Sequence, residues 1–429
     1  MQDSFPPPGF VSGPSQVPGI DVYIPAPAQE KRPDLIDFKC PKCGATTAYS
    51  VEVGKLACEY CGYNETLDKQ RVGRNAEEFE FTVETIQRSQ KGWGENRREM
   101  ACRRCGGVIS VPMDALAYSC PFCASNKVLF REPLEDVLRP RFLIPFTIGP
   151  TACRAITQKW LGGSWMTPSE LKNFAPEKFA PLFIPYWTFD ARANATWKAM
   201  VGYEKVEHYT DPKGEQQERR TIEWRSETGK VNQDFNDLLV PGTQRLNLAA
   251  LGRIDTFNLQ DLIVYEPRYL AGMNAQAYDL PLEKAWEAGR YILRERTRQT
   301  CLDRIPSTHV RSFSMALDFS DEQWRYILAP LYTSVYLYGD HPYQILINGQ
   351  SGKIAGQRPV SWQKVWLVIA ALLSPGIILG LASLLAGGAG SADQIAPGEI
   401  AGAVGLFLLA VGMVISFFII RQAQEMEHV

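Results

Sequence analysis

Two long apolar segments near the C-terminus constrain the fold of this chain more than any other feature. Neither residues 365–386 nor residues 400–420 contain a charged side chain. Each segment has about 20 residues, enough for an α-helix to cross a hydrocarbon layer of roughly 30 Å. A soluble domain rarely buries two uncharged segments of this length, so the sequence predicts a two-helix transmembrane hairpin.

Basic residues around the hairpin predict its direction. Lys353, Arg358 and Lys364 precede the first segment and Arg421 follows the second, whereas the connection between the segments holds acidic charges and no base. Lysine and arginine in short loops favour the cytosolic side of a membrane. We therefore expect a multi-pass protein of the cell (inner) membrane, with its N-terminal domains and its C-terminal tail, residues 421–429, in the cytosol.

Glycines recur at a helix-packing spacing in both segments. Gly376 and Gly380 are four positions apart, as are Gly398 and Gly402. This spacing lets helices approach closely. It is compatible with packing of the two helices on each other or on a second subunit, so an oligomer stays open.

The other end of the chain has a different composition. Residues 1–35 are rich in proline, glycine and serine and contain no apolar core segment, which predicts a disordered tail without a secretory signal. A formal charge of −2 over 429 residues gives no global attraction to nucleic acid. In a reducing cytosol, cysteines bind metals more often than they form disulfides.

Eight of the ten cysteines form four Cys-x-x-Cys knuckles with a repeated spacing. Fourteen residues separate Cys43 from Cys58, and fourteen separate Cys105 from Cys120. Two such turns supply the four thiolates that zinc binds as a tetrahedron. The sequence therefore predicts tandem zinc ribbons at residues 36–64 and 98–131, each closed around one structural Zn²⁺. The predicted ligands are Cys40, Cys43, Cys58, Cys61, Cys102, Cys105, Cys120 and Cys123.

Other uses of these knuckles are less well supported. A rubredoxin-like iron site has similar turns. A cross-braced arrangement would pair the first knuckle with the third, although some forty residues separate the two halves. Redox-active pairs would not require an even spacing.

Gly44, Gly62 and Gly106 follow three knuckles, where a positive φ turns backbone N–H groups toward the sulfurs. Cys153 and Cys301 stand apart and are predicted to be small core residues.

The linker at residues 65–97 is predicted to be partly helical. Phe79, Val83 and Ile86 have helical spacing, and the pattern ends near Gly92. Acidic residues crowd this linker, while the basic residues beside the knuckles are explained by compensation of negatively charged metal sites. A nucleic-acid surface would need a cluster of basic and aromatic side chains, so the pattern argues against nucleic acid.

Residues 138–359 predict a mixed α+β cytosolic domain with antiparallel hairpins. A helix is expected from Pro150 to Gly162, and a second, amphipathic one from about residue 281 to 300. Between them, apolar and polar residues alternate from Phe189 to Tyr203, as in a long strand with one buried face.

Two hairpins are predicted in the same domain. One pairs residues 221–228 with 231–235 across Gly229 and Lys230, and the other pairs 331–338 with 343–348. A turn at Gly349 and Gly352 then returns into a short strand.

No pattern in the sequence predicts catalysis. The four histidines are scattered, and no Ser-His-Asp, HExxH or phosphate-binding loop is present. Asp190 and Arg192 could form an acid–base pair, but outward-facing positions of a strand explain them better. We therefore expect no enzyme; a pocket with converging carboxylates of shifted pKa would favour one.

The order of these elements is similar to that of a known family. The ribbons are followed by four sequence motifs and then by the apolar end. The motifs are Arg141-Phe142-Leu143-Ile144-Pro145-Phe146, Ile184-Pro185-Tyr186-Trp187-Thr188-Phe189-Asp190-Ala191, Tyr269-Leu270-Ala271-Gly272 and Ile347-Asn348-Gly349-Gln350-Ser351-Gly352-Lys353.

From about residue 36 to 421, the chain resembles bacterial membrane proteins described as TFIIB-type zinc ribbon-containing, or as primosomal protein N′/superfamily II helicase. The resemblance implies a membrane-anchored cytosolic protein whose relatives accompany stomatin/flotillin-type scaffold proteins and envelope-stress systems. It implies no enzymatic activity. The chain has neither a Walker A loop nor an acidic helicase box, so ATP-driven unwinding lacks its machinery.

These features predict a non-catalytic adaptor or scaffold, anchored in the membrane and presenting surfaces to a protein partner. The alternative is a membrane-tethered nucleic-acid-binding protein linked to replication or transcription.

Overall fold

The computed structural model describes most of the chain as a mixed α+β structure with antiparallel sheets, which confirms the predicted class. The described residues are 10–13, 22–25, 39–82, 97–112, 120–122, 125–131, 138–210, 216–339, 341–385 and 397–428.

The strands are β1 Phe10–Gly13, β2 Val22–Pro25, β3 Ala48–Ser50, β4 Lys55–Ala57, β5 Asn64–Glu65, β6 Phe79–Glu80, β7 Arg97–Cys102, β8 Val108–Pro112, β9 Val128–Arg131, β10 Phe142–Leu143, β11 Ala180–Thr210, β12 Gln216–Pro241, β13 Ile263–Val264, β14 Asn274–Ala275, β15 His309–Tyr338, β16 His341–Asn348 and β17 Ile354–Gly356. The α-helices are α1 Pro150–Gly162, α2 Leu248–Ile254, α3 Leu282–Asp303, α4 Trp362–Leu385 and α5 Pro397–His428. Short 3₁₀ helices lie at Gly73–Asn75, Ser169–Leu171, Leu259–Asp261 and Pro267–Leu270.

Three unusually long strands form the centre of the protein, called the body below. The 31-residue β11 pairs antiparallel with β12 on one side and with β15 on the other. At about 3.3 Å per residue, β11 is roughly 100 Å long. The predicted alternation from Phe189 to Tyr203 lies within it. Its inward residues pack against α3, where the ring centroids of Trp286 and Phe189 are 4.9 Å apart.

The body also contains the elements predicted around this strand. Helix α1 has the expected bounds, and α3 covers the predicted amphipathic helix. Strands β15 and β16 form the second predicted hairpin, with Leu331 opposite Asn348. The expected return strand is β17, which pairs with β16.

The first predicted hairpin was wrong. Residues 221–235 do not turn at Gly229, because they belong to the continuous strand β12. Gly229 lies opposite Trp197, and a Cβ atom there would come within 2.6 Å of the indole ring. The glycine is needed for a bulky cross-strand neighbour, and not for a turn.

The linker and the N-terminal tail also differ from expectation. Phe79 lies in β6, which pairs with β15, so the expected helix does not begin there; Val83, Ile86 and Gly92 lie outside the described residues. Within the tail, β1 and β2 pair antiparallel where disorder was expected. The β-branched and aromatic residues of these two strands favour extended backbone.

Helices α4 and α5 are long and apolar enough to span a membrane. They pack on each other through glycines: a Cβ on Gly376 would lie 2.9 Å from the Gly405 carbonyl oxygen, and one on Gly405 would lie 3.0 Å from the Gly380 nitrogen. Within one chain, Gly376 and Gly380 therefore let the two helices approach each other closely. Helix α5 continues to His428, so the expected C-terminal tail is helical.

The helical hairpin is joined to the body at the end where α4 begins and α5 ends. The backbone N–H of Arg358 donates to the Met426 carbonyl at 2.8 Å, and the Trp362 indole donates to the Glu427 carboxylate at 3.2 Å. Lys364 donates to the Thr167 carbonyl at 2.9 Å. The body therefore sits at the end of the hairpin that carries Arg358 and Lys364.

Candidate metal centres and a buried charge cluster

The first cysteine module (residues 39–65) is built on a small sheet of its own. Strands β3, β4 and β5 form this three-stranded sheet. Each of its two knuckles closes with a backbone hydrogen bond, from Gly44 N–H to the Cys40 carbonyl at 2.8 Å and from Gly62 N–H to the Cys58 carbonyl at 3.0 Å. Both glycines have the expected positive φ, +73° and +70°.

The two knuckles bring four sulfur atoms together. The Sγ atoms of Cys40, Cys43, Cys58 and Cys61 all lie within 4.8 Å of one another. The contacts Cys40–Cys61 and Cys43–Cys58 measure 3.5 Å and 3.6 Å. A disulfide would be about 2.05 Å, whereas a tetrahedron with Zn–S bonds of about 2.3 Å has sulfur–sulfur edges of roughly 3.8 Å. The spacing therefore fits a four-sulfur metal shell.

The second cysteine module (residues 97–131) repeats the geometry. The Sγ atoms of Cys102, Cys105 and Cys120 lie within 4.8 Å of one another, and Cys105–Cys120 measures 3.6 Å. Cys123 lies outside the described residues. The Arg104 N–H points at the Cys102 sulfur, 3.4 Å away, as in a knuckle that stabilises a thiolate.

In the first module, neighbouring groups shift the pKa values of two thiols in opposite directions. The Cys61 backbone N–H lowers the pKa of Cys58 to about 7. For Cys43, the Ala45 N–H acts in the same direction, but the neighbouring thiol of Cys61 and burial raise the pKa to about 12. Four sulfurs this close cannot all lose their protons unless positive charge is placed between them.

The remaining cysteines lie away from these clusters. Cys153 and Cys301 are fully buried, on α1 and α3. Burial raises the pKa of the Cys153 thiol to about 12. Both are therefore inert core residues, as predicted.

A second type of site, which the sequence patterns above did not predict, is a buried arginine with three carboxylates. The Arg325 side chain on β15 is 1% exposed. Its guanidinium pairs with Glu78 at 2.7 Å and with Asp237 at 2.5 Å, and Asp190 lies at 3.9 Å. Its other nitrogens donate to the Thr188 hydroxyl at 3.1 Å and to the Arg74 carbonyl at 3.3 Å.

The carboxylates of this charge cluster are close enough to share a proton. Those of Glu78, Asp190 and Asp237 lie within 4.8 Å of one another. Burial raises the pKa of Glu78 to about 7 against the lowering effect of Arg325, and the Asp190 charge adds to the rise. Burial also raises the pKa of Asp237. A carboxyl group of this kind changes its charge near neutral pH.

Irregularities in the long strands place these residues together. The register of β11 shifts against β12 between Phe189 and Ala191, and against β15 between Asp190 and Arg192. Asp237 adopts φ +60° at this level. Bulges re-aim side chains and recur beside functional sites. The cluster borders a cavity of about 500 Å³.

Of Asp190 and Arg192, which were both predicted to face solvent, only Arg192 is exposed. Arg192 faces outward and pairs with Asp234 at 2.7 Å and Asp321 at 3.0 Å. Asp190 shares that face, but its side chain is only 16% exposed because Glu78 lies over it. A sequence signal existed for the cluster, since Arg325 lies in an otherwise apolar stretch from Trp324 to Leu331. Its partners are far away in sequence and gave none.

Comparisons with known proteins give one informative similarity. The chain is similar to the uncharacterized protein YdjG of Bacillus subtilis (strain 168), with 24% identity over 369 residues that cover 82% of this chain and 99% of YdjG. No protein-family model and no solved structure matches the chain.

Proposed function

We propose that the protein is a non-catalytic, membrane-anchored zinc-ribbon adaptor on the cytosolic face of the cell membrane. The observation that carries this proposal is the combination of two sulfur clusters with an apolar helical hairpin that packs on the same body. The clusters serve to hold binding surfaces in shape, and the hairpin holds those surfaces at the membrane.

Each cysteine module is a zinc ribbon in this proposal, with one structural Zn²⁺. In the second module, Cys123 is the proposed fourth ligand. Closed four-thiolate sites stabilise the local fold and leave no open position for a substrate. Elemental analysis of purified protein should therefore give two zinc ions per chain.

The hairpin crosses the membrane with both ends in the cytosol. One observation supports this direction: Arg358 and Lys364 lie where the hairpin meets the body. Trp362 and Trp366, near the same end of α4, would anchor that end at a membrane surface, but such residues are favoured at both surfaces. Labelling of single cysteines introduced near residue 392 and near the N-terminus, in intact cells, tests it. Only the first should react with an impermeant reagent.

The charge cluster meets the condition that would favour an enzyme, yet its contacts support a structural role better. Four of the five N–H donors of Arg325 are directed to protein acceptors, namely Thr188, the Arg74 carbonyl, Asp237 and Glu78, so the protein itself holds the guanidinium in place. The nearby Arg192 is held by two carboxylates. The chain is therefore not an enzyme in this proposal.

The partner class comes from the family resemblance: a stomatin/flotillin-type scaffold or an envelope-stress membrane protein. Crosslinking in native membranes, followed by purification in detergent, should recover such a protein with the full chain. A chain that lacks residues 362–428 should be soluble and should lose the partner. If the full chain yields no membrane scaffold protein above the level of that control, the adaptor proposal is wrong.

One observation favours the nucleic-acid alternative. Within its described residues, the second module has a single acidic residue, Glu99, while Arg103, Arg104, Lys127 and Arg131 are exposed. Binding through such residues weakens steeply as salt rises. The full chain should then bind single-stranded DNA or RNA at low salt, and replacing Arg103 and Arg104 by glutamine should weaken it. No binding at low salt excludes this alternative.

A further inference from the structure

The segment that follows the first module crosses the body and is held there by charge and aromatic contacts. This strap (residues 74–82) contributes β6, in which Phe79 and Glu80 pair with Trp324 and Gln323 of β15. The Phe79 and Trp324 rings are 5.4 Å apart. The Phe81 N–H donates to the Glu322 carbonyl at 3.1 Å.

Glu78 is the strap's contribution to the charge cluster. It contacts Arg325 from the strap, while Asp190 approaches from β11 and Asp237 from β12. Removing the strap would therefore remove one of the three carboxylates and leave Arg325 with the other two. It would also remove Arg74, whose guanidinium lies 3.4 Å from Asp237 and whose carbonyl accepts from Arg325 at 3.3 Å.

The charges of the docked cluster do not balance. Glu78, Asp190 and Asp237 bring three negative charges, whereas Arg325 and Arg74 bring two positive charges, and Arg74 is 60% exposed. Three carboxylates confined around one buried cation repel one another, and a bound proton relieves that repulsion. Once the strap is released, the Glu78 carboxyl is surrounded by water and no longer needs the proton.

We propose that the strap is a proton-sensitive latch: it stays docked while the cluster of Glu78, Asp190 and Asp237 holds a proton, and it opens when that proton is lost. The latch depends on neither the identity of the metal nor the partner, so it can fail without affecting the proposed function. Opening would uncover Phe79 and Trp324 and loosen the connection between the two cysteine modules.

Charged groups on every element around Glu78 set this response. They are Arg74, Glu77 and Glu80 on the strap, Arg141 beside β10, Asp190 and Arg192 on β11, Asp234 and Asp237 on β12, Asp321, Glu322 and Arg325 on β15, and Arg290 on α3. The Glu322 carboxylate is already paired with Arg290 at 2.9 Å, and Glu77 with Arg141 at 3.2 Å. Glu78, which the strap places beside the buried Arg325, is the carboxylate that takes up the proton.

The sign of the effect follows from linkage. The pKa of Glu78 is about 7 when docked, compared with an ordinary value of 4.5. A raised carboxyl pKa means that the docked state binds more protons, so docking is favoured below pH 4.5 and weakens as pH rises through 7. Between pH 6 and pH 8 the docking equilibrium should fall about tenfold.

Hydrogen exchange of the full chain in detergent tests the latch. Protection factors of residues 76–82, corrected for the intrinsic pH dependence of exchange, should be about tenfold lower at pH 8 than at pH 6. Residues 326–332, in the core of β15, should show no such change. Equal protection of the strap at both pH values overturns the proposal, even if no variant can be made.

Two variants identify the group responsible. Glu78→Gln should keep the strap docked and remove most of the pH dependence. Glu77→Gln changes the neighbouring, exposed carboxylate and should leave the pH dependence unchanged. If Glu78→Gln folds, as judged by protection of residues 326–332, and still shows the wild-type pH dependence, the latch does not depend on Glu78 and the proposal is wrong.

Discussion

The two cysteine modules use the same ligand spacing but are built into the protein in different ways. In both, the first and third cysteines are buried and the second is exposed. The first module has its own sheet. It packs on the body, where Tyr49 and Leu56 belong to the main core cluster. The Tyr49 N–H donates to the Ala271 carbonyl at 2.9 Å, and the Tyr49 and Tyr269 rings are 5.5 Å apart.

The second module belongs to the main sheet. Its strand β8 pairs with β14, where Ser110 lies opposite Ala275, and β14 pairs with β11. Met100, Ile109 and Val111 are fully buried and share a core cluster with residues of the body. Both modules contribute residues to the core, but the first cysteine cluster lies on a separate three-stranded sheet and the second lies on the main sheet.

The largest expected difference between the modules follows from loss of a metal ligand. Cys120→Ser and its matched control Cys58→Ser each remove a buried third cysteine and should each lower bound zinc from two ions to one. Structural zinc contributes ~10 kcal/mol or more of folding free energy. Cys120→Ser should therefore destabilise the body by several kcal/mol, whereas Cys58→Ser should unfold residues 39–65, whose sheet is separate from the main sheet, and should destabilise the body less.

Zinc analysis together with hydrogen exchange of β11 and β15 measures this difference. Equal loss of protection in the body for both variants would show that the modules are equally integrated and would contradict the comparison.

The next largest effect concerns the strap that follows the first module. Arg325→Ala leaves three half-buried carboxylates without their cation, and breaking a buried ion pair costs about 3–5 kcal/mol. Arg192→Ala, on the exposed side of the same cavity, should cost about 1 kcal/mol or less. Urea unfolding of the two variants checks the difference. Both should retain two zinc ions, since neither arginine contacts the cysteines; a variant with less zinc would show that the strap supports a module.

A smaller effect is expected where the first module meets the body. Gly272 has φ +70°, and a Cβ there would lie 2.7 Å from the Ala48 Cβ. Gly54 has nearly the same φ, +67°, but only the end of Lys69 lies nearby, at 3.9 Å. Gly272→Ala should therefore cost about 1–3 kcal/mol more than Gly54→Ala and should loosen the first module alone. Equal stability of the two variants would mean that the joint yields easily.

The smallest effect belongs to the ion pair at the same joint. Arg268 and Glu65 are 2.8 Å apart, and both are about one-third exposed. Glu65→Gln should change the stability of the first module by about 0–1 kcal/mol, with a smaller difference at high salt. Thermal unfolding at low and high salt measures it. A larger, salt-independent loss of stability would show that this ion pair, and not the packing of Tyr49 and Gly272, holds the first module on the body.

Patterns confined to a few residues allowed good predictions. The knuckle glycines have the expected φ, α1 has the expected bounds, and the alternation from Phe189 to Tyr203 lies in a strand. The prediction failed at Gly229, because a glycine beside polar residues has the same appearance in a turn and opposite a tryptophan. Asp190 was assigned to solvent because nothing near it in sequence indicates that Glu78 covers it.

The sequence by itself determined two things: a spacing of thiols that can surround two metal ions, and two helices too apolar for water. Both depend on interactions within one turn or one helix, which the neighbouring residues control. The tertiary structure decided which cysteine module joins the main sheet, how the glycines of the two helices meet, and which carboxylates surround Arg325. These outcomes depend on contacts between residues far apart in the chain, so they were fixed only when the long strands packed against one another.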